Sequence, residues 1–139
     1  MRLYLDTSVI VPLLVDDLFS ERAHRSLAGR RLDIVVSDFA AAEFASVLAL
    51  RCRMNILDVA EAREAFADFD VWIAKTNSAE TGAADIRAAE AILRRLDLNL
   101  RTPDAIHIAI ARRLGAELAT FDTRMAESAR ALGLTAGAV

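Results

Sequence analysis

Four acidic residues stand in otherwise apolar stretches of this sequence. Asp6 is the one charged side chain from Leu3 to Val15 (LYLDTSVIVPLLV), and Glu43 the one from Phe39 to Leu50 (FAAAEFASVLAL). Asp104 shares TPDAIHIAIA with His107, the only other ionisable residue there, and Asp122 closes the run LATFD. A carboxylate withdrawn from water is costly unless it is protonated or paired, and carboxylates brought together raise one another's pKa. No lysine or arginine lies within the first three segments to relieve them. A divalent cation would. Carboxylates with a few neighbouring hydroxyls favour Mg2+ or Mn2+, whereas zinc more often recruits His or Cys. Such ions bind phosphate oxygens and activate water for in-line attack, so phosphodiester hydrolysis is the chemistry expected.

Each acid taken alone has a plainer reading. Asp6 could serve as a turn or helix-capping residue, and Asp122 as the cap of a final helix. Asp104 follows Pro103 in a first helical turn, where the helix dipole favours an acid. Glu43 falls in mid-helix, where an alanine-rich, poorly buried face would tolerate it. The conjunction of all four carries the metal reading.

The elements that must position these residues are short strands alternating with helices. Arg2 to Leu5 reads as a strand, with Thr7 or Ser8 capping the helix that follows and Pro12 near that helix's first turn. Ser20 to Leu27 is a helix closed by Gly29; Asp33 to Val36 is a second strand; Ser37 or Asp38 caps a helix to about Met54. Asp58 opens a helix to about Lys75, with Val59, Ala62, Phe66, Phe69 and Ile73 at helical spacing. Helices then cover roughly Ala83 to Leu96 and Thr102 to Leu114, the latter ended by Gly115. Glu117 to Thr120 is a third strand, Thr123 to Leu132 a helix stopped by Gly133, and Leu134 to Ala136 a final edge strand. This pattern predicts an α/β domain of three layers, with a short parallel sheet of about four strands and helices on both faces. Ligands of such sheets sit beyond the carboxyl ends of the strands, where Asp6 and Asp122 fall.

With 139 residues the chain is expected to form one domain spanning 1–139. Its formal net charge of -3 argues against binding nucleic acid by bulk charge, so any such contact must be local. One cysteine, Cys52, excludes an internal disulfide and suits a reducing compartment. The opening apolar run is broken by Asp6 and Pro12, unlike a signal peptide, and no run approaches a membrane span; a soluble cytoplasmic protein is expected. Sixteen of the 17 basic residues are arginine, which fits a general compositional bias shared with the 28 alanines.

LYLDTSVIVPLL, SDFAAAEF and TPDAIHIAIARRLGAELATFD, in this order and spacing, resemble the PIN-domain nucleases, and in size and detail the VapC-type toxins of bacterial toxin-antitoxin pairs. The resemblance runs from about residue 1 to 135. It implies that Asp6, Glu43, Asp104 and Asp122 ligate one or two Mg2+ or Mn2+ ions for endoribonuclease cleavage of RNA. Thr7 and Thr120, at the family's hydroxyl positions, would hold water or orient a carboxylate. It further implies a homodimer held inactive by a small cognate VapB-like antitoxin.

Two other classes remain open at this point. An aspartyl phosphotransferase or phosphatase would also place Asp6 at the end of a first strand but commonly needs a lysine at the site, and Lys75 is the only lysine. A non-catalytic RNA- or protein-binding module has little use for acids that repel phosphate. His107, three residues after Asp104, is expected on nearly the same helical face but as a packed or interface residue outside the ligand set. Arg112 and Arg113 could meet phosphates or simply suit a helix C-terminus. Phe19, Phe39, Phe66, Phe69 and Trp72 are assigned to core or interface, and no aromatic and basic alternation marks a base-stacking platform.

Overall fold

Five parallel strands and seven helices make up a computed structural model that describes residues 2–28 and 33–137. In chain order these are β1 (Arg2–Leu5), α1 (Thr7–Leu14), α2 (Ser20–Leu27), β2 (Asp33–Ser37), α3 (Asp38–Arg53), α4 (Val59–Ile73), β3 (Asn77–Ala79), α5 (Ala83–Leu93), α6 (Thr102–Arg113), β4 (Glu117–Ala119), α7 (Thr123–Ala131) and β5 (Ala136–Gly137). Gly29, expected to close α2, lies outside the described residues.

The strands run in the order β3-β2-β1-β4-β5. From β1 the chain therefore builds outward in one direction through β2 and β3, then returns to the other side of β1 with β4. Ligand crevices open at such a reversal, here beyond the carboxyl ends of β1 and β4. The register aligns Tyr4 with Val35 and with Leu118.

Side chains on a strand alternate between faces, and that alternation sorts the core into two halves. Tyr4, Val35 and Leu118 point to one side, where they pack with Ala89 and Ile92 of α5, Ala105 to Ala111 of α6, and Met125 and Ala129 of α7. Leu3, Leu5, Val36 and Ala119 point to the other side and meet Val9 to Val11 of α1, Ala40, Phe44 and Leu48 of α3, and Ala62, Ala65 and Phe69 of α4. In that second half Phe44 stacks on Phe69 with centroids 4.7 Å apart, while Phe66 and Trp72 pack at its margin. The result is the three-layer α/β arrangement expected.

Three local expectations are corrected. The sheet has five strands, because Asn77–Ala79 joins the outer edge of β2, pairing Val35 with Asn77 and Ser37 with Ala79. Asn, Ser and Ala carry little strand propensity, so that pairing is a product of tertiary context. The final strand is Ala136–Gly137 rather than Leu134 to Ala136, set by its register with Leu118 and Ala119. The fifth helix stops at Leu93, three residues short, and the chain reverses at Leu96 with a φ of 66°. Gly115 and Gly133, at φ 61° and 88°, end α6 and α7 where a side chain would be strained.

Candidate metal centre

At the carboxyl end of β1 the chain turns directly into α1, leaving Asp6 at the helix N-cap. Its carboxylate makes no capping bond. Instead Oδ1 accepts from Ser8 Oγ at 2.6 Å and Oδ2 from Thr120 Oγ1 at 2.5 Å. Capping by Thr7 or Ser8 is thereby replaced: both hydroxyls point to carboxylates. Ser8 Oγ also accepts the Phe121 N–H at 2.9 Å, and Thr120 Oγ1 accepts the Asp122 N–H at 3.0 Å. These bonds lace the end of β1 to the end of β4. Asp6 is 4% exposed, and burial pushes its carboxyl above the usual carboxylate range despite the Ser8 and Thr120 hydroxyls.

Glu43 lies on α3, whose N-terminus is capped by Ser37 Oγ accepting from Ala40 N–H at 3.0 Å. One oxygen, Oε1, accepts from Thr7 Oγ1 at 2.7 Å and bonds His107 Nε2. Burial pushes this carboxyl up, but His107 and Thr7 outweigh it and hold Glu43 below its ordinary pKa.

The other two acids have helix-terminal duties on one oxygen each. Asp104 Oδ2 accepts the Arg101 N–H at 2.9 Å, and Asp122 Oδ1 caps α7 by accepting from Arg124 and Met125 N–H groups at 3.0 and 3.2 Å. Among the described residues no hydrogen bond reaches Glu43 Oε2, Asp104 Oδ1 or Asp122 Oδ2.

The structure strings these residues along one path. Asp104 is a helical turn from His107, which meets Glu43; Glu43 meets Thr7, next to Asp6; Asp6 meets Thr120, which holds the backbone of Asp122. Among the described residues no three His, Cys, Asp or Glu side chains stand close enough together to hold a metal ion between them. The donor chemistry fits a hard divalent cation: oxygen ligands with spare lone pairs, and a buried carboxylate whose side-chain partners are the Ser8 and Thr120 hydroxyls.

His107 belongs to this network, a role the sequence reading had not given it. It is 3% exposed, with Nδ1 2.6 Å from the Tyr4 hydroxyl and Phe39 edge-on to its ring. The i, i+3 spacing from Asp104 was the available signal; Tyr4, Ser8 and Ser37 gave none, since their partners are distant in sequence. Arg112 and Arg113 end α6, eight and nine residues after Asp104, and so lie about 12 Å or more along the helix axis from it. Arg113 instead holds Asp85 and the Glu80 carbonyl. Phe19, 45% exposed, packs its ring on Phe121 at 5.1 Å, with the Arg22 guanidinium 5.0 Å from the same Phe121 ring.

The chain is thus a three-layer α/β fold with Asp6 and Asp122 at the reversal point of its parallel sheet. The family model described as PIN domain matches residues 3–131, and the chain belongs to that family. It is 34% identical to Ribonuclease VapC46 of Mycobacterium tuberculosis, over 95% of this chain and 93% of that protein. Its fold is similar to that of M. tuberculosis VapC20, described as a sarcin-ricin loop cleaving toxin, with a TM-score of 0.75, 22% identity and 96% of each chain covered. VapBC2 of Rickettsia felis, solved on a DNA fragment from its promoter, gives a TM-score of 0.72 at 15% identity over 99% of this chain and 98% of that one.

Proposed function

We propose that the chain is a Mg2+- or Mn2+-dependent endoribonuclease of the VapC toxin type, using Asp6, Glu43, Asp104 and Asp122 to hold the metal. The observation that carries this is Asp6: a carboxylate taken out of water beyond the carboxyl end of β1, with the Ser8 and Thr120 hydroxyls as its side-chain partners. Identity to a named ribonuclease over nearly the whole chain supports the substrate class.

Bound there, a divalent cation supplies positive charge for the scissile phosphate and lowers the pKa of a water. Ser8 and Thr120 fix the Asp6 carboxylate in one orientation, so little rearrangement is needed when a ligand arrives. Thr7 does the same for Glu43. A carboxylate of this set accepts the proton lost by the attacking water, and the ribose 2'-hydroxyl takes no part.

The test is incubation of purified protein with total RNA and Mg2+ or Mn2+, with and without chelator, followed by mapping of the ends. Chelator-sensitive cuts leaving 5'-phosphates are expected; 2',3'-cyclic phosphates would overturn the mechanism. A VapB-like antitoxin partner, supported by the VapBC neighbour, and a homodimer belong to the same proposal. So does a cytoplasmic location; no described helix is long and apolar enough to cross a membrane. The phosphotransferase alternative loses ground on topology. Lys75 precedes β3, which runs parallel to β2, so it lies toward the opposite end of the sheet from Asp6.

A further inference from the structure

Glu43 is held in an asymmetric way: both of its side-chain partners, Thr7 Oγ1 and His107 Nε2, meet the same oxygen, Oε1. On the far side of that ring, a chain of hydroxyls reaches back to a helix terminus. Ser37 Oγ accepts the Ala40 N–H at 3.0 Å, lies 2.7 Å from Tyr4 Oη, and Tyr4 Oη lies 2.6 Å from His107 Nδ1. Each hydroxyl and ring nitrogen in this chain has a partner, and the directions follow from the number of protons each group can give.

For a neutral ring the assignment has one consistent direction. Ser37 already accepts from the backbone, so its own hydroxyl proton goes to Tyr4 Oη. Tyr4 then donates to Nδ1, and the ring proton sits on Nε2, facing the Glu43 carboxylate. In the opposite tautomer, Nδ1–H would donate to Tyr4 and Tyr4 to Ser37. The Ser37 proton would then be left without an acceptor, and a bare Nε2 lone pair would face Oε1. Packing against Phe39 and Tyr4, with centroids 5.1 and 5.6 Å away, fixes the plane in which the ring presents Nε2.

We propose that His107 is a positioning residue for Glu43: locked as the Nε2–H tautomer by the Ser37–Tyr4 hydroxyl chain, it shares Oε1 with Thr7 and reserves Oε2 as the single oxygen offered to a divalent cation. The consequence for the cation rests on the metal-site reading above, whereas the tautomer does not. A histidine that orients a carboxylate in this way inverts the more familiar arrangement, in which a carboxylate orients a ligating histidine.

The deciding experiment combines imidazole 15N spectra at pH 8 with Mn2+ binding followed by electron paramagnetic resonance and unfolding midpoints. Exposed His24, the only other histidine, provides the reference signal. His107 should show a protonated Nε2 and an unprotonated Nδ1, and Tyr4→Phe, which removes the donor to Nδ1, should shift the Nδ1 resonance toward that of a ring nitrogen with no hydrogen bond. His107→Leu should weaken Mn2+ binding about tenfold or more, the range for loss of a partner that orients a metal ligand. His107→Gln, which keeps an N–H near the carboxylate, should recover most of the binding. An Nδ1–H ring in the parent protein, or parent-like Mn2+ binding by folded His107→Leu, overturns the assignment; equal losses in the Leu and Gln variants do so too. If His107→Leu does not fold, the tautomer and the Nδ1 response to Tyr4→Phe still decide. A parent protein that binds no Mn2+ refutes the metal-site reading and leaves the spectrum to judge His107.

Discussion

Asp6 and Asp85 expose nearly the same small fraction of their surface, 4% and 3%, but Asp6 is deeply buried and Asp85 lies near the surface under Arg113, and the chain treats them in opposite ways. Asp85, in the first turn of α5, receives Arg113 Nε and Nη2 at 2.7 and 3.0 Å and the Gly82 N–H at 2.9 Å. The guanidinium holds Asp85 below the ordinary carboxylate range. Asp6 receives two hydroxyls, and burial holds it above that range. Asp85 is thus a finished structural joint between α5 and α6, with its countercharge built in. At Asp6 the fold supplies orientation but no bonded cationic side chain among the described residues, the difference that the proposed metal role rests on.

The largest effect that could break this contrast is on cleavage. Asp6→Asn should abolish RNA hydrolysis while leaving the unfolding midpoint unchanged or higher, whereas Asp85→Asn should cleave normally. Loss of folding in Asp6→Asn would return Asp6 to a structural role. Added Mg2+ should stabilise the parent protein by about 2.7 kcal/mol at a hundredfold excess over Kd, and chelator should reverse this; the Asp6→Asn midpoint should not respond.

Next in size is Asp85→Asn itself, at about 1–2 kcal/mol by urea unfolding. This is less than a fully buried pair would lose, because Arg113 is 43% exposed and regains water. The pH dependence sharpens the comparison, since the signs differ. Asp6 has a raised folded pKa, so its contribution is complete below the unfolded carboxylate pKa and lost as pH rises through the folded value. Asp85 has a lowered folded pKa, so its contribution is present above the unfolded value and lost as pH falls through the folded one. Raising the pH from about 3 to 7 should therefore increase the stability of Asp6→Asn relative to the parent and decrease that of Asp85→Asn. The smallest effect belongs to the exposed Arg25–Glu21 pair, where Arg25→Ala should leave the unfolding midpoint unmoved within error.

Much of the fold was legible because helix signals are local. The Asp58 capping box, Pro103 in the first turn of α6, and Gly115 and Gly133 after the last turns of α6 and α7 all announce themselves within a few residues. β3 was not legible, because NSA becomes a strand only by pairing with β2. The four acids were visible as isolated charges, but their surroundings were not. Thr120 is 114 positions from Asp6 and His107 is 64 from Glu43, so no window of sequence contains either bond.

The sequence by itself determined the alternation of strands and helices, the apolar faces that bury them, and the placing of four acids in otherwise apolar stretches. These follow from side-chain periodicity and local backbone chemistry, which act over a few residues. Only the tertiary structure decided which oxygen of each carboxylate is committed, that Asp6 is bonded by hydroxyls while Asp85 takes an arginine, and that His107 faces Glu43. Those outcomes depend on distance and direction between groups far apart in the chain, and the order of strands about β1 is what brings them together.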